Sequence, residues 1–154
     1  MAQFVDNLML KGLKGKQVEE VDKSLSAVIG LFCCLHSRDS FLRQYIKDLG
    51  NRLLNKNSIS NEHEELMIQK LKVENGAQEV GKMSTMMKDM ELSVATEADF
   101  VTSIGGVNSI NGVEFKVSVL TNATWTLSQD PTLVLPTELK GCVDRFTLWY
   151  KNKN

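Results

Sequence analysis

Residues 51–72, Asn-Arg-Leu-Leu-Asn-Lys-Asn-Ser-Ile-Ser-Asn-Glu-His-Glu-Glu-Leu-Met-Ile-Gln-Lys-Leu-Lys, constrain the fold more than any other stretch of the chain. They read as the end of one helix, a polar Asn/Ser turn and the capped start of another. Ser60 or Asn61 can accept a hydrogen bond from the open amides of the second helix, and Glu64 falls at the capping-box position for Asn61. Glu62, Glu64 and Glu65 sit where the helix dipole favours negative charge, with Lys70 and Lys72 toward the other end. Helices joined by so short a turn pack as antiparallel neighbours.

Apolar residues recur at helical spacing on both sides of this junction. Leu25, Val28, Ile29 and Phe32 form one face, introduced by Asp22 or Ser24 and ending near His36. Beyond a turn at Ser37-Arg38-Asp39, the set Leu42, Ile46, Leu49 and Leu53 repeats the pattern, widened by Phe41 and Tyr45. A third helix runs from about Asn61 to Glu74 and is stopped by Asn75-Gly76 as a left-handed cap. Val80, Met83, Met87 and Met90 give a fourth stripe. The expectation is a mainly α fold, an antiparallel four-helix bundle over 1–104.

The period then changes. Gly105-Gly106 and Asn111-Gly112 are turn signals, and residues 113–120 alternate, with Val113, Phe115, Val117 and Val119 on one face and Glu114, Lys116 and Ser118 on the other. A polar loop bearing Trp125, Pro131 and Pro136 leads to Thr137, which caps a last helix over 137–151 with the stripe Leu139, Cys142, Val143, Phe146 and Tyr150. Residues 105–154 are thus expected as a strand and a C-terminal helix, the start of an α/β subdomain. A lone strand leaves backbone groups without neighbours. Either a weaker strand is hidden elsewhere, or its partners lie outside the chain.

Composition excludes several function classes. Lys and Arg total 18 against 19 Asp and Glu, so there is no chain-wide basic footprint for nucleic acid. No apolar run is long enough to span a bilayer, so no membrane partner is expected. The cysteines, Cys33, Cys34 and Cys142, are odd in number and form no CxxC pair, which fits a reduced intracellular chain. Asn122-Ala123-Thr124 matches a glycosylation sequon without a secretory context.

Motifs for chemistry are lacking. His63-Glu64-Glu65-Leu66-Met67 brushes against HExxH, but Met67 replaces the second histidine. Cys33 and His36 share a helical face, which reads as a buried thiol beside a helix-terminal histidine. Gly81-Lys82-Met83-Ser84 lacks the upstream glycine of a phosphate loop. The Met83, Met86, Met87, Met90 cluster reads as core, with an adaptable partner-binding face as the alternative. Lys11, Lys14 and Lys16, interleaved with Gly12 and Gly15, make a compact positive patch that reads by its physics as a solvated helix end. No cofactor, metal or catalytic residue is expected.

Read together, several segments resemble the C-terminal cullin homology region. They are Asp39-Ser40-Phe41 through Tyr45 and Arg52-Leu53-Leu54, then Met67-Ile68-Gln69-Lys70-Leu71-Lys72 with Gly76. Lys82-Met83 through Met87-Lys88-Asp89-Met90 with Ser93 follows, then Val117-Ser118-Val119-Leu120-Thr121 with Trp125, and Leu135-Pro136-Thr137-Glu138-Leu139 through Phe146 and Tyr150. The resemblance implies a four-helix bundle followed by the opening strand and helix of an α/β subdomain, in a fragment of a larger scaffold. It implies a non-catalytic role in a cullin-RING ubiquitin ligase, in the cytoplasm or nucleus.

The partners it implies are a RING-box protein, a ubiquitin-conjugating enzyme and cullin exchange or regulatory factors. The strand bearing Val113, Phe115, Val117 and Val119 would belong to the sheet that takes in a RING-protein strand. Lys11 and Lys14, with Lys16 beside them, match the family's basic canyon for an acidic tail. Thr126 departs from the family's usual proline, Gly50 and Asn51 precede Arg52 where small or basic residues are commoner, and Gly12 replaces what can be a further lysine. A rival expectation is a stand-alone adaptor that binds a partner helix through the methionine face.

Overall fold

The computed structural model describes residues 1–106, 109–110, 112–127 and 133–153; Asn111 of the expected turn and Pro131 of the expected loop lie outside them. Helix α1, Ala2–Asn7, runs into a π-helical turn, Leu8–Gly12. Four longer helices follow, α2 at Val18–Cys33, α3 at Arg38–Leu54, α4 at Asn61–Asn75 and α5 at Ala77–Ser103. A hairpin of β1, Ser109–Ile110, and β2, Val113–Glu114, precedes α6, Thr137–Lys153. The chain divides into two compact units, Met1–Lys88 with Leu120–Thr126 and Asp89–Val119 with Leu127–Asn154.

In the first unit the apolar stripes become the core. Leu25, Val28, Ile29 and Phe32 of α2 are buried, as are Phe41, Leu42, Tyr45, Ile46, Leu49 and Leu53 of α3. Helix α4 adds Met67, Ile68 and Leu71, and α5 adds Val80, Met83, Met86 and Met87. Helix α2 begins at Val18, ahead of the expected start at Asp22 or Ser24, with Glu19 and Glu20 in its first turn where the dipole favours them. It ends at Cys33, short of His36. Phe32 and Phe41 meet across the α2–α3 turn as tilted rings with centroids 5.4 Å apart, and Lys70 of α4 reaches Asp22 of α2 at 2.8 Å.

The α3–α4 junction is built as two interlocking caps. After α3, Lys56 takes a left-handed conformation with φ 52°, its N–H bonded to the Leu53 carbonyl at 3.2 Å, while the Asn57 N–H reaches the Arg52 carbonyl at 3.1 Å. That is a Schellman closure without its usual glycine. Ser60 then caps α4, its hydroxyl accepting from the His63 N–H at 3.3 Å. Gly76 ends α4 at φ 77°, ψ −174°, a conformation that side chains resist. Its ψ is extended, so this is a positive-φ break between α4 and α5 in place of the expected left-handed cap. At Gly50 a methyl group would meet Met86 Cε at 3.1 Å and Trp125 Cε3 at 3.6 Å. A side chain there would press on the flexible end of Met86 and touch the Trp125 ring, so Gly50 leaves room for both against α3.

The second unit has a small core of Phe100, Ile110, Cys142 and Phe146, with Phe115, Val117 and Trp149 packed against it. Phe146 meets Phe100 edge-on at 5.1 Å. The weaker strand allowed for above exists: Ser109 pairs with Glu114 and Ile110 with Val113, antiparallel, around Gly112 at φ 82°. The ladder is shorter than the alternation of 113–120 suggested, because β2 ends at Glu114. Burial still alternates through Val119. Part of the missing ladder is supplied by a side chain: Ser93 Oγ accepts from the Val119 N–H at 2.9 Å and donates to its carbonyl at 3.1 Å. On α6, Cys142 and Phe146 are buried, but Leu139 and Val143 of the expected stripe remain exposed.

Phe32 and Leu49 are fully buried in the first unit. Phe32→Ala and Leu49→Ala should each lower unfolding free energy by roughly 2–5 kcal/mol. Urea titration of the two variants checks this, and surface-like tolerance of both would contradict the packing described.

Candidate functional site

The most unusual chemistry in the first unit is a buried ionic cluster around Arg52. Its guanidinium is 1% exposed and Glu64 is fully buried. Arg52 Nε donates to Glu64 Oε1 at 2.7 Å and Nη2 to Glu64 Oε2 at 2.9 Å, a two-pronged clamp from α3 to α4. The remaining prong, Nη1, reaches Asp6 Oδ1 on α1 at 2.5 Å. Ser58 Oγ donates to Glu64 Oε1 at 2.5 Å, the Tyr45 hydroxyl donates to Oε2 at 3.2 Å, and the Tyr45 ring lies under the guanidinium.

Burial holds Arg52 in water-poor surroundings that oppose its charge, yet the Glu64 clamp outweighs that effect and raises its affinity for the proton. For Tyr45, burial and then the neighbouring Glu64 carboxylate push the phenol well above its ordinary value of 10.0. The cluster therefore holds a charged arginine and a neutral phenol. Glu64 contributes a buried clamp, not the capping-box contact expected for Asn61; Ser60 supplies the cap alone among these residues.

The predicted lysines lie elsewhere in this unit. Lys11, Lys14 and Lys16 are all exposed on the π-helical turn and the link to α2. The Leu13 N–H bonds to the Leu8 carbonyl at 3.1 Å, the five-residue spacing of a π turn, and the Lys14 N–H bonds to the Lys11 carbonyl at 3.2 Å. Met9 and Leu13 are buried beneath this turn. Lys16 Nζ lies 3.5 Å from Ser24 Oγ on α2.

In the second unit, Val113, Phe115, Val117 and Val119 are half-buried and face their own core. What this segment leaves for another chain is backbone, because residues 115–118 belong to no ladder among the described residues. Glu114 and Lys116 pair at 3.1 Å on the solvent side.

The methionine candidates resolve as packing, whereas Cys33, expected as a buried thiol, is half-buried. Cys33 Sγ donates to Glu74 Oε2 at 3.3 Å, and that bond, followed by burial, raises its thiol pKa. Its partner is a carboxylate on α4, not His36. Met83, Met86 and Met87 are buried and Met90 is half-buried, so the methionines form core and not an open face.

Comparison with known proteins decides the family. A family model described as the cullin alpha solenoid domain matches residues 1–97. Cullin-3 of Dictyostelium discoideum is 37% identical over 147 residues, 96% of this chain. The chain belongs to the cullin family. It spans 19% of the length of that relative. Within this cullin segment the Asp6–Arg52–Glu64 cluster is the feature that the residue pattern left unread. Its signal was there: Arg52 stands three residues after Leu49 and beside Leu53, and Glu64 stands three and four before Met67 and Ile68. Both are charges on an apolar stripe.

Glu64→Ala leaves Arg52 buried without its clamp and should cost roughly 3–5 kcal/mol, whereas replacing Arg52 and Glu64 together by apolar residues of similar volume should cost far less. Denaturant unfolding of the single and paired variants separates these outcomes. Tyr45 adds a pH dependence. Its folded pKa is raised, so the unfolded chain loses the phenolic proton first, and stability falls as pH climbs past about 10 toward the folded value. Melting curves between neutral and strongly alkaline pH should show that decline, and Tyr45→Phe should make it shallower.

Proposed function

We propose that this cullin segment is a non-catalytic scaffold of a cullin-RING ubiquitin ligase. The bundle fixes distance and orientation, and the chemistry happens on the proteins it holds. The observation that carries the reading is the 37% identity to Cullin-3 running along 96% of the chain, through both compact units. The Arg52 clamp supports it physically. A charge buried between helices tolerates little sliding, because displaced groups would lose partners that water cannot replace.

The partner of the second unit in this proposal is a RING-box protein, engaged when the sheet is completed. The backbone of 115–118 supports this as a site for β-augmentation, with Val113, Phe115, Val117 and Val119 holding the segment onto its core. A ubiquitin-conjugating enzyme is the proposed partner of Lys11, Lys14 and Lys16, whose exposed ammonium groups suit an acidic tail. Cullin exchange and regulatory factors complete the expected partners, in the cytoplasm or nucleus. The rival reading, a stand-alone adaptor using the methionine face, has little support, since Met83, Met86 and Met87 are buried.

A chain extended beyond Asn154 should retain a RING-box protein in a pull-down. An extended chain that ignores the RING-box protein, while the 154-residue form binds some other partner tightly, would count against the scaffold reading. For the lysines, Lys11→Glu/Lys14→Glu should slow association with an acidic-tailed conjugating enzyme, more at low salt than at high salt. Stopped-flow rates at two salt concentrations check this, and equal rates for parent and variant in both would sink the acidic-tail assignment.

A further inference from the structure

The lysine turn and the buried cluster share one short piece of chain. Helix α1 has six residues, too few to hold its shape in water unaided. The π-helical turn that continues it is a rare geometry that persists where packing enforces it. Two sets of contacts enforce it here. Val5, Met9 and Leu13 are buried on the bundle, and Asp6 Oδ1 accepts from Arg52 Nη1 at 2.5 Å.

The two ends of that ion pair are not equally fixed. Arg52 is already clamped by Glu64 through Nε and Nη2, so its third prong is presented to α1 in a set direction. Asp6, with its side chain 27% exposed, is the end that docks. From Asp6 the helical backbone leads directly to Lys11 in the π turn and then to Lys14, whose N–H is bonded to the Lys11 carbonyl.

We infer that Asp6 and Arg52 are positioning residues for the lysine turn: the buried guanidinium fixes α1, and α1 fixes the exposed lysines in one arrangement for an acidic polypeptide. This rests on the acidic-partner reading of Lys11 and Lys14. A loosened turn would still attract such a partner at long range, because the net charge would remain. It would hold the partner less well, since the ammonium groups would have to be ordered on binding.

Asp6→Asn tests this in the 154-residue chain, because it removes the carboxylate charge that faces Arg52 Nη1 and leaves the Arg52–Glu64 clamp. Amide exchange should accelerate by roughly fivefold or more across residues 2–13, with α3 and α4 unchanged. A synthetic Asp/Glu-rich peptide should leave the variant faster by a similar factor, while its association rate does not fall. Asp6→Glu, which keeps a carboxylate on α1, should recover both values.

Unchanged exchange across 2–13 in Asp6→Asn overturns the inference alone, as does a frayed turn with an unchanged peptide lifetime. Peptide binding that is indifferent to Lys11→Glu/Lys14→Glu overturns the acidic-partner reading itself, and the inference with it.

Discussion

Arg52 and Glu64 meet in the interior of the first unit, and the arrangement around them follows from the cost of burying charge. An isolated guanidinium or carboxylate there would lose its hydration without compensation. Each charge is tolerated because the other is present, two-pronged, at 2.7 and 2.9 Å. The pair binds α3 to α4, draws the Ser58 loop onto Glu64, orients the Tyr45 phenol and leaves one guanidinium prong for Asp6 on α1. Apolar packing supplies the bulk of the stability, since Leu and Met side chains gain from burial in almost any register. The ionic cluster is directional, and it distinguishes one register from its neighbours.

The second unit solves a different problem, a sheet too small to satisfy itself. Among the described residues its ladder is two residue pairs long. The Ser93 hydroxyl stands in for a neighbouring strand at Val119, donating to its carbonyl and accepting from its amide. The core beneath is aromatic, with Phe100 and Phe146 touching each other and each touching both Phe115 and Trp149. It covers one line of α6 and leaves Leu139 and Val143 exposed. A segment whose face is packed and whose backbone edge is unpaired suits the addition of a strand from another chain.

Much of the fold was legible because apolar periodicity reports burial directly. Leu25, Val28, Ile29 and Phe32 are buried together for the same reason that they are spaced by three and four. The alternation from Val113 to Val119 likewise reports a segment with one face on a core, and that face is where it should be. The alternation is silent on backbone pairing, so it overstated the ladder. Glu64 shows a second limit. Acids in a first helical turn suit the dipole, and that local role concealed a long-range one.

By itself the sequence determined most of the apolar residues that leave water and most of the places where helices break. These depend on period, capping and residue type, all local properties of the chain. Tertiary structure decided which charge answers which. Arg52 is 12 positions from Glu64 and 46 from Asp6, and no spacing rule joins them. Only packing brings the three together, because the energy of a buried charge depends on what surrounds it in space, not along the chain.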